Sequence, residues 1–456
     1  MKLRVTFAIL ICKLTHAVLR VLKRGGTALP GKVATGICPD LLKYLAKDVE
    51  SLVITGTNGK TTSARMLEQF FIESGLSYFS NKSGSNLMRG IAAEYALNAG
   101  LSGKPKRKYA IIECDEAACR KVFEYMAPKV ILITNIFRDQ TNRFKDVGQT
   151  LEHIKTGVKN APNACICLNA DDSLTSSIAD EVPNKAVFFG INTQIYKNRT
   201  EERSDAPKCI RCGTEYDYSY VTFGHLGGFS CPSCGYARKT PDIAAEEIKA
   251  GDPDRQNIRL RAFGETYELA INIPGAYNIY NAVGAIAAAA QMGFSIDDTK
   301  TAMLNFECGF GRMEKLELNN VPVRIILVKN AAGCNQALNY LSEVPGEMLI
   351  AFCLNDRIAD GTDISWIRDV RIENLFRMND RLKGIYVSGI RADDMEKRLG
   401  EAGFTAGCVK VYKDHGEMLN TMLKQNTPIY ILPTYTAMLE LRDKISREFG
   451  IKRYWE

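Results

Sequence analysis

A short segment of the chain, residues 52–63, combines a buried strand, a glycine loop and the start of a helix. Residues 52–54 are all apolar, and Gly56 and Gly59 follow closely, so the backbone can turn sharply there. From Thr61 onward apolar residues recur at helical spacing, which predicts a helix. This layout directs backbone N–H groups and the positive end of a helix dipole at one point. The segment therefore predicts an anion-binding site.

The side chains of the same segment indicate that the anion is a phosphate. Lys60 supplies a positive charge for terminal phosphates, and a threonine hydroxyl after it can reach a magnesium ion. The general phosphate-loop pattern needs a glycine where this chain has Ile54, so the segment is not the generic loop. An ordinary glycine turn would need neither the lysine nor the paired threonines. The predicted nucleotide-binding residues here are Gly56, Thr57, Asn58, Gly59, Lys60, Thr61 and Thr62.

Short apolar runs alternate with helical patterns after the glycine loop, which predicts a parallel, doubly wound α/β sheet. Ligands of such sheets lie at the carboxyl ends of the strands. Glu113 occupies such a position, and we predict that it holds magnesium together with Thr61. Asp115 and Glu116 are alternatively caps of the next helix. The predicted strands of this part are 109–112, 130–133 and 164–168.

Four cysteines predict a structural zinc site. Two residues separate Cys209 from Cys212 and Cys231 from Cys234, and eighteen residues lie between the pairs. Each pair can place two thiolates on one knuckle, and two knuckles complete a tetrahedron around zinc. All four ligands come from the protein, so the site is closed; the alternative is a disulfide or redox pair. Zinc ribbons often bind nucleic acid, but the segment has no basic and aromatic face, so we predict no nucleic-acid partner.

Four segments resemble the Mur ligase superfamily, which includes the folylpolyglutamate synthases. Residues 56–62, Gly-Thr-Asn-Gly-Lys-Thr-Thr, resemble its nucleotide loop. Asn278 and Asn281, before an alanine-rich helix, resemble its nucleotide-contacting segment, although they could also be helix caps. Residues 309–314, which include Arg312, resemble the hinge segment of the superfamily. The resemblance implies ATP and Mg²⁺ as cofactors, contacts from Asn278 and Asn281 to the nucleotide, and Arg312 at the phosphates. Residues 169–172 resemble a further segment near the nucleotide.

Two departures separate the chain from the standard amino-acid-adding ligases. Related ligases often carry an Asp-His pair that binds a second metal, and this chain has Asp139-Gln140. Those ligases also carry an Asp and a His after the first strand of the C-terminal domain, and residues 327–336 contain neither. The first departure leaves the second magnesium ion open, and the second counts against a stand-alone ligase reaction.

Several segments together resemble the MurT family, the ligase-like subunits of lipid II isoglutaminyl synthases. They comprise the four-cysteine insertion and residues 26–31, 355–366, 387–395 and 432–439. The resemblance implies an ATP-dependent carbon–nitrogen ligase of peptidoglycan synthesis. Such an enzyme phosphorylates the α-carboxylate of D-glutamate in the lipid II stem peptide, and ammonia then displaces phosphate to give D-isoglutamine. Lys60 and Glu113 would act at the phosphoryl group and its metal.

The same resemblance implies a heterodimer with a glutaminase subunit of the GatD type, which supplies the ammonia. None of the 14 cysteines has the setting of a glutaminase nucleophile, which agrees with an external ammonia source. The family also implies that an aspartate of this chain completes the partner's Cys-His triad. We predict Asp360, with Asp363 and Asp356 as alternatives and Asp369 as a more distant one. Each of these aspartates could instead stabilise a turn.

We expect three parts: a helical lead-in at 1–48, a Mur ligase-like ATP-binding domain at 49–313, and a Rossmann-like α/β domain at 314–456. The zinc ribbon would be inserted at about 200–245. Without a convincing secretory signal, the cysteines indicate a reducing compartment, so we expect a cytoplasmic protein. The formal charge of +7 suits anionic substrates or an anionic membrane surface.

The lead-in contains a predicted amphipathic helix. Its apolar positions fit one face, which predicts packing against the body of the protein; the alternative is contact with the inner face of the cell membrane. The positions assigned to that face are Ile9, Leu10, Leu14, Val18, Leu19 and Leu22.

Two other functions fit parts of the sequence. A stand-alone Mur or folylpolyglutamate ligase would use the same loop, but it should retain the Asp and the His that are absent after the C-terminal strand. A non-catalytic zinc-ribbon scaffold could bind ATP only to stabilise its own structure, but it would not need Lys60, Thr61 and Glu113 together.

Overall fold

The structure is a computed structural model, and the residues that it describes form two large sheets with their helices and one small hairpin. The described residues are 2–22, 28–81, 85–138, 147–195, 205–249, 254–307, 309, 311–405 and 407–451. Asp139 and Gln140 lie outside them. No helix in this part of the chain is both long enough and apolar enough to cross a bilayer.

Three helices precede the first strand: α1 (Lys2–Val21), α2 (Ala28–Ile37) and α3 (Leu41–Ala46). The predicted helix at the N-terminus is present, but the predicted inner face is largely wrong. Ile9 is buried, Leu19 is half-buried, and Leu10, Leu14, Val18 and Leu22 are exposed. The buried face instead contains Ala8 and Cys12, and α1 packs against α2 and α5.

The first eleven strands are, in chain order, β1 (Glu50–Thr55), β2 (Tyr78–Ser80), β3 (Tyr109–Glu113), β4 (Val130–Ile133), β5 (Cys165–Asn169), β6 (Ala186–Ile191), β7 (Asp217–Phe223), β8 (Leu226–Ser230), β9 (Ile243–Lys249), β10 (Gln256–Ala262) and β11 (Glu265–Ile271). Nine of them form one sheet in the order β11-β10-β9-β6-β5-β4-β1-β3-β2. Neighbours from β2 to β9 are parallel, and β9, β10 and β11 are antiparallel. β1 is central and almost fully buried, as expected for a parallel strand between two helical layers.

Seven helices accompany these strands: α4 (Lys60–Glu73), α5 (Met88–Leu97), α6 (Glu116–Val122), α7 (Val147–Asn160), α8 (Ser173–Ser177), α9 (Asn278–Met292) and α10 (Ile296–Leu304), with a 3₁₀ turn at Ile178–Asp180. α9 packs on β4, β5, β6 and α4, and nearly all of its residues are buried. Its alanines and Gly284 keep the helix close to the sheet, since a Cβ on Gly284 would lie 3.1 Å from the Phe189 ring. This close packing positions the start of α9 beside the glycine loop.

The hairpin of β7 and β8 lies in the connection between β6 and β9, which are neighbours in the large sheet. Its own small core contains the aromatic residues Tyr216, Tyr218, Phe229 and Tyr236.

The remaining strands are β12 (Arg312–Leu318), β13 (Val321–Ile326), β14 (Met348–Cys353), β15 (Leu382–Ser388), β16 (Val409–Tyr412) and β17 (Ile429–Pro433). They form a second sheet in the order β12-β13-β17-β14-β15-β16, parallel except for the pair of β12 and β13. Its helices are α11 (Ala331–Glu343), α12 (Ala392–Glu401), α13 (His415–Leu423) and α14 (Tyr435–Phe449), with 3₁₀ segments at Ile358–Asp360, Ser365–Asp369 and Ile372–Met378.

The predicted parallel α/β arrangement is confirmed, but the sequence did not reveal the antiparallel arm of β9, β10 and β11. These strands carry many charges, which resemble a polar linker in sequence. In the fold the charges pair across strands, with Arg259 2.7 Å from Glu247 and Arg261 2.6 Å from Glu246.

Replacing Glu94 with glutamine should stabilise the fold at alkaline pH. Glu94 lies on α5 near Cys12 of α1, and burial raises its pKa from 4.5 to about 7. Because the unfolded chain loses this proton at lower pH, the free energy of unfolding falls as the pH rises from about 4.5 to about 7, by at most about 3 kcal/mol. Thermal unfolding of Glu94→Gln should match the native protein at pH 4 and exceed it at pH 8. The exposed Glu124→Gln is the control, and a pH-independent difference would contradict the interpretation.

Candidate active site

The loop between β1 and α4 is held by the residues that follow β4. The Thr57 N–H donates to the Asn135 carbonyl at 2.8 Å, and the Asn58 N–H donates to Asn135 Oδ1 at 2.9 Å. Thr134 Oγ1 donates to the Asn58 carbonyl at 2.7 Å. Hydrogen bonds that Thr134 and Asn135 form with the backbone of the loop therefore fix the loop on the side of β4.

The two glycines of this loop are required by their surroundings. Gly56 and Gly59 have φ angles of +117° and +86°, which favour glycine. A Cβ would lie 2.4 Å from Thr134 Oγ1 at Gly56 and 2.0 Å from Asn281 Oδ1 at Gly59. Asn281 therefore faces the turn that leads into α4.

Lys60 is the first residue of α4, and its ammonium group lies over the loop. It donates to the Gly56 carbonyl, and it pairs with Glu116 Oε1 at 2.6 Å. Both side chains are only 11% exposed. Glu116 therefore contacts Lys60, whereas its neighbour Asp115 caps α6 by accepting from the Ala117 N–H at 3.0 Å. Sequence reasoning considered Glu116 only as a magnesium candidate or a cap.

The structure brings Thr61 and Glu113 together, with Thr61 Oγ1 2.9 Å from Glu113 Oε2. Asn81, at the end of β2, fixes the Glu113 backbone, since it accepts from the Glu113 N–H at 2.9 Å and donates to its carbonyl at 2.8 Å. Burial raises the pKa of Glu113, although Arg312 and Lys60 lie near enough to oppose the shift. A cation would stabilise the desolvated carboxylate, and a carboxylate beside a hydroxyl is a donor set that suits Mg²⁺.

The two asparagines of α9 form a fixed pair. Asn278 donates to the Pro274 carbonyl at 2.7 Å, and Asn281 Nδ2 donates to Asn278 Oδ1 at 2.8 Å. Both are buried, so Asn281 Oδ1 is held toward Gly59.

Arg312 begins β12, where the chain passes from the first sheet to the second. It is close enough to Glu113 to influence its charge. The preceding residue, Gly311, donates its N–H to Glu314 at 2.9 Å, and Arg442 of α14 lies 3.3 Å from the same carboxylate. Arg442 of α14 therefore stabilises, through Glu314, the backbone segment from which Arg312 extends.

The second sheet also contacts the glycine loop directly. Asn330 donates to Asn58 Oδ1 at 3.1 Å and accepts from the Gly333 N–H at 2.7 Å, which caps α11. Asn330 lies in the segment where the standard ligases carry Asp and His, and sequence reasoning did not identify it as a site residue. The available signal was an asparagine just before a predicted helix, a few residues after a buried strand.

The acidic loop, residues 355–366, follows β14, a central strand of the second sheet. Asp360 accepts from the Thr436 N–H at 2.7 Å, from the Thr436 hydroxyl at 2.5 Å and from the Arg357 N–H at 3.1 Å. Ile358, at the tip, is 93% exposed. Of the alternatives, Asp363 accepts from the Ser365 N–H at 2.8 Å.

The remaining alternatives have different surroundings. Asp356 lies 3.6 Å from Arg391, and Asp369 is exposed. Asp360 is therefore fixed at the start of α14 by its hydrogen bonds to Thr436.

The four predicted cysteines meet at the base of the hairpin. All of their sulfur atoms lie within 4.8 Å of one another, with 3.5 Å between Cys209 and Cys234 and 3.4 Å between Cys212 and Cys231. A tetrahedron with zinc–sulfur bonds of about 2.3 Å has sulfur–sulfur distances of about 3.8 Å, so the cluster fits zinc.

The hairpin is also connected to the glycine loop. His225, in its turn, lies 3.2 Å from Asp172, and both side chains are fully buried. Asp172 accepts from the Ile136 N–H at 2.8 Å, and the His225 ring lies 4.6 Å from the Phe137 ring. The Phe137 N–H and carbonyl bond to the Thr57 hydroxyl at 3.0 and 3.1 Å.

Asp171 forms a second connection from the hairpin to α9. It lies 2.5 Å from Arg238 and accepts from the Tyr280 hydroxyl at 2.6 Å. Both acids of the segment 169–172 therefore bind within the protein: Asp172 supports the glycine loop, and Asp171 connects Arg238 to α9.

Two family models match the chain. The Mur ligase middle domain covers residues 54–289, and the MurT ligase C-terminal domain covers residues 327–438. The MurT subunit of lipid II isoglutaminyl synthase (glutamine-hydrolyzing) from Streptococcus pneumoniae is 32% identical over 448 residues, 98% of each chain. The protein of the same name from Staphylococcus aureus strain COL is 28% identical, over 97% of this chain and 98% of its own.

The chain belongs to the MurT family. MurT proteins share the Mur ligase middle domain, so the chain is an ATP-dependent ligase. The MurT ligase C-terminal model also covers Asn330, which contacts the glycine loop.

Solved ligases share the fold of this MurT chain. A pseudomurein peptide ligase type C from Methanothermus fervidus superposes with a TM-score of 0.67 at 21% identity, over 90% of this chain and 80% of that one. Mycobacterium tuberculosis folylpolyglutamate synthase, solved with ADP and AMPPCP, gives 0.62 at 14% identity, over 91% and 94%. At these identities the similarity concerns the fold alone.

Replacing both exposed ligands, Cys212 and Cys234, with serine should remove bound zinc from this MurT chain. Metal analysis should show about one zinc per native chain and almost none in the double variant, with a lower unfolding temperature because zinc binding contributes to folding. Cys408→Ser, an exposed cysteine outside the cluster, is the matched control. Equal zinc content in both variants would contradict the assignment.

Proposed function

We propose that this chain is the ligase subunit of lipid II isoglutaminyl synthase. It uses ATP to convert the α-carboxylate of D-glutamate in the lipid II stem peptide to the amide of D-isoglutamine. The observation that carries the proposal is the group formed by Lys60, Thr61 and Glu113 at the glycine loop, in a chain that matches a named MurT subunit over 98% of its length. We place the enzyme in the cytoplasm, where ATP is available.

The glycine loop would bind the phosphates of ATP. The N–H groups at the start of α4 and the helix dipole favour an anion there, and the Lys60 ammonium adds charge close to them. Thr61 and Glu113 would hold Mg²⁺, which neutralises charge that develops on the transferring phosphoryl group when it is bound. Asn278 and Asn281 would orient the nucleotide, and Arg312 would reach its phosphates.

The reaction has two steps. An oxygen of the D-glutamate α-carboxylate attacks the γ-phosphorus of ATP, and ADP leaves, which gives an acyl phosphate. Ammonia then attacks the carbonyl carbon; the carbon–oxygen bond to phosphate breaks, and the nitrogen releases a proton. Lys60 and Arg312 would stabilise the negative charge of the first step.

The parts of the chain would divide this work. We propose a lead-in at 1–48, the ATP-binding domain at 49–313, and a C-terminal domain at 314–456. Cys209, Cys212, Cys231 and Cys234 would hold a structural zinc ion, whose hairpin supports the glycine loop through His225.

Lys60→Ala should reduce ATP-dependent amidation by about a hundredfold or more, because one preorganised donor at a reacting centre contributes that much. The measurement is amidated product by mass spectrometry and released phosphate, with glutaminase partner, glutamine and lipid II. Lys121→Ala, an exposed lysine of α6, is the control. Undiminished amidation would place the nucleotide elsewhere.

The same assay of the native protein separates the alternative functions. Phosphate release that is independent of the partner and of glutamine would indicate a stand-alone ligase, and ATP binding without turnover would indicate a scaffold.

We also propose that a GatD-type glutaminase subunit docks at the acidic loop. Asp360 would accept from the partner's catalytic histidine, since its carboxylate is held in place by Thr436 and Arg357, as the carboxylate of a triad must be. The exposed Ile358 beside it offers an apolar contact for the partner. Asp363 and Asp356 remain the alternatives.

Asp360→Asn should lower glutamine hydrolysis by the complex about 10³–10⁴-fold, because an asparagine disfavours the histidine tautomer that the nucleophile needs. Asp363→Asn and Asp356→Asn are the matched comparisons. Co-elution of the two subunits separates this effect from a failure to assemble. A larger loss in either comparison variant, with assembly intact, would transfer the role to that residue.

A further inference from the structure

The N-terminal helix α1 is apolar on two opposite faces, and the body of the protein covers only one of them. Val5, Ala8, Ile9 and Cys12 are buried. The opposite face carries apolar side chains at helical spacing along its length, and between 38% and 87% of each is exposed. The members of this exposed face are Leu3, Phe7, Leu10, Leu14 and Val18. An apolar surface of this extent on a folded protein marks an interaction site.

Helix α2 extends this surface with Leu29 and Val33, which are 49% and 36% exposed. We call the exposed apolar side chains of both helices the outer face. Nine of the nineteen large apolar side chains that are exposed in the described part of the chain lie between residues 3 and 33. The exposed apolar surface is therefore concentrated in the two helices and is not scattered.

The charge of the chain is concentrated in the same place. Seven lysines and arginines and no acidic residue precede Asp40. The whole chain has 59 basic and 52 acidic residues, so this segment carries the entire formal excess of +7. On α1, Arg4 and Arg20 are exposed, and on α2 the exposed Lys32 adjoins Val33, whereas Lys13 donates to the Ala99 carbonyl of the body.

We propose that the outer face of α1 and α2 docks on the surface of an anionic phospholipid bilayer. A helix that presents an apolar face with basic residues along its edges lies in the plane of such a surface. Since no helix of the described residues can span a bilayer, this contact is peripheral. A second copy of the chain fits less well, because a two-fold contact would bring the same basic segments together.

A series of contacts connects α2 to the candidate active site. Gly31 of α2 packs on Arg89 of α5, where a Cβ would lie 1.8 Å from the Arg89 carbonyl. The segment before α5 contains Ser85, whose carbonyl accepts from Asn81, and Asn81 fixes Glu113. If the substrate is lipid-linked, which rests on the proposed function, docking brings the catalytic group to the bilayer from which its substrate projects.

The test is sedimentation of the full chain with vesicles that contain no substrate, so its failure is independent of the proposed function. Wild type should bind vesicles of phosphatidylglycerol and phosphatidylcholine and should bind pure phosphatidylcholine much more weakly. Replacing Phe7, Leu14 and Val18 with glutamine should weaken binding about a hundredfold or more, because three apolar side chains no longer leave water. Arg20→Gln with Lys32→Gln should weaken it about thirtyfold, about fivefold for each charge.

The control variants remove similar groups elsewhere. Ile72→Gln, Leu101→Gln and Leu304→Gln change three exposed apolar residues outside the outer face, and Lys397→Gln with Lys424→Gln removes two exposed charges. These controls should bind as wild type does. Equal loss in the controls, equal binding to neutral vesicles, or no binding by wild type would overturn the proposal. A wild-type dimer that the outer-face variant converts to monomer would assign the surface to a second copy instead.

Discussion

The candidate site depends on how the glycine loop is held against the residues after β4 and against α9. Asn135 accepts from two consecutive N–H groups of the loop, and Asn281 occupies the space where any side chain at Gly59 would have to lie. The loop cannot relax toward the sheet or toward α9 without breaking these contacts. Lys60 and Thr61, which begin α4 directly after the loop, therefore start from a backbone of fixed position.

The support for this loop comes from distant parts of the chain. The four-cysteine hairpin contributes His225, whose partner Asp172 accepts from the backbone just before Phe137, the residue that bonds to Thr57. The second sheet contributes Asn330. Both connections consist of buried polar groups that pair with each other, so loss of one partner would leave the other unsatisfied and destabilise the fold. The insertion thus serves the active site as well as its own fold.

The sequence predicted the groups whose chemistry is local. Residues 56–62 and the four cysteines are recognisable because turns, helix starts and zinc knuckles need particular residues at fixed spacing. Glu113 could be placed because it ends a buried strand. Asn81, Asn330 and the pairing of Glu116 with Lys60 depend on which strands become neighbours, and short-range patterns do not contain that information. The inner face of α1 was assigned wrongly because both faces of that helix are apolar.

Helix α14 connects the acidic loop after β14 to the start of β12. Thr436 at its start binds Asp360, and Arg442, six residues or about 9 Å further along, binds Glu314 beside the Gly311 and Arg312 segment. A helix of this length is stiff, so a displacement of the Arg312 segment must shift the Asp360 loop or break the buried Arg442 pair. Helix α14 would therefore couple a movement at Arg312 to the acidic loop, where we propose that the glutaminase subunit docks.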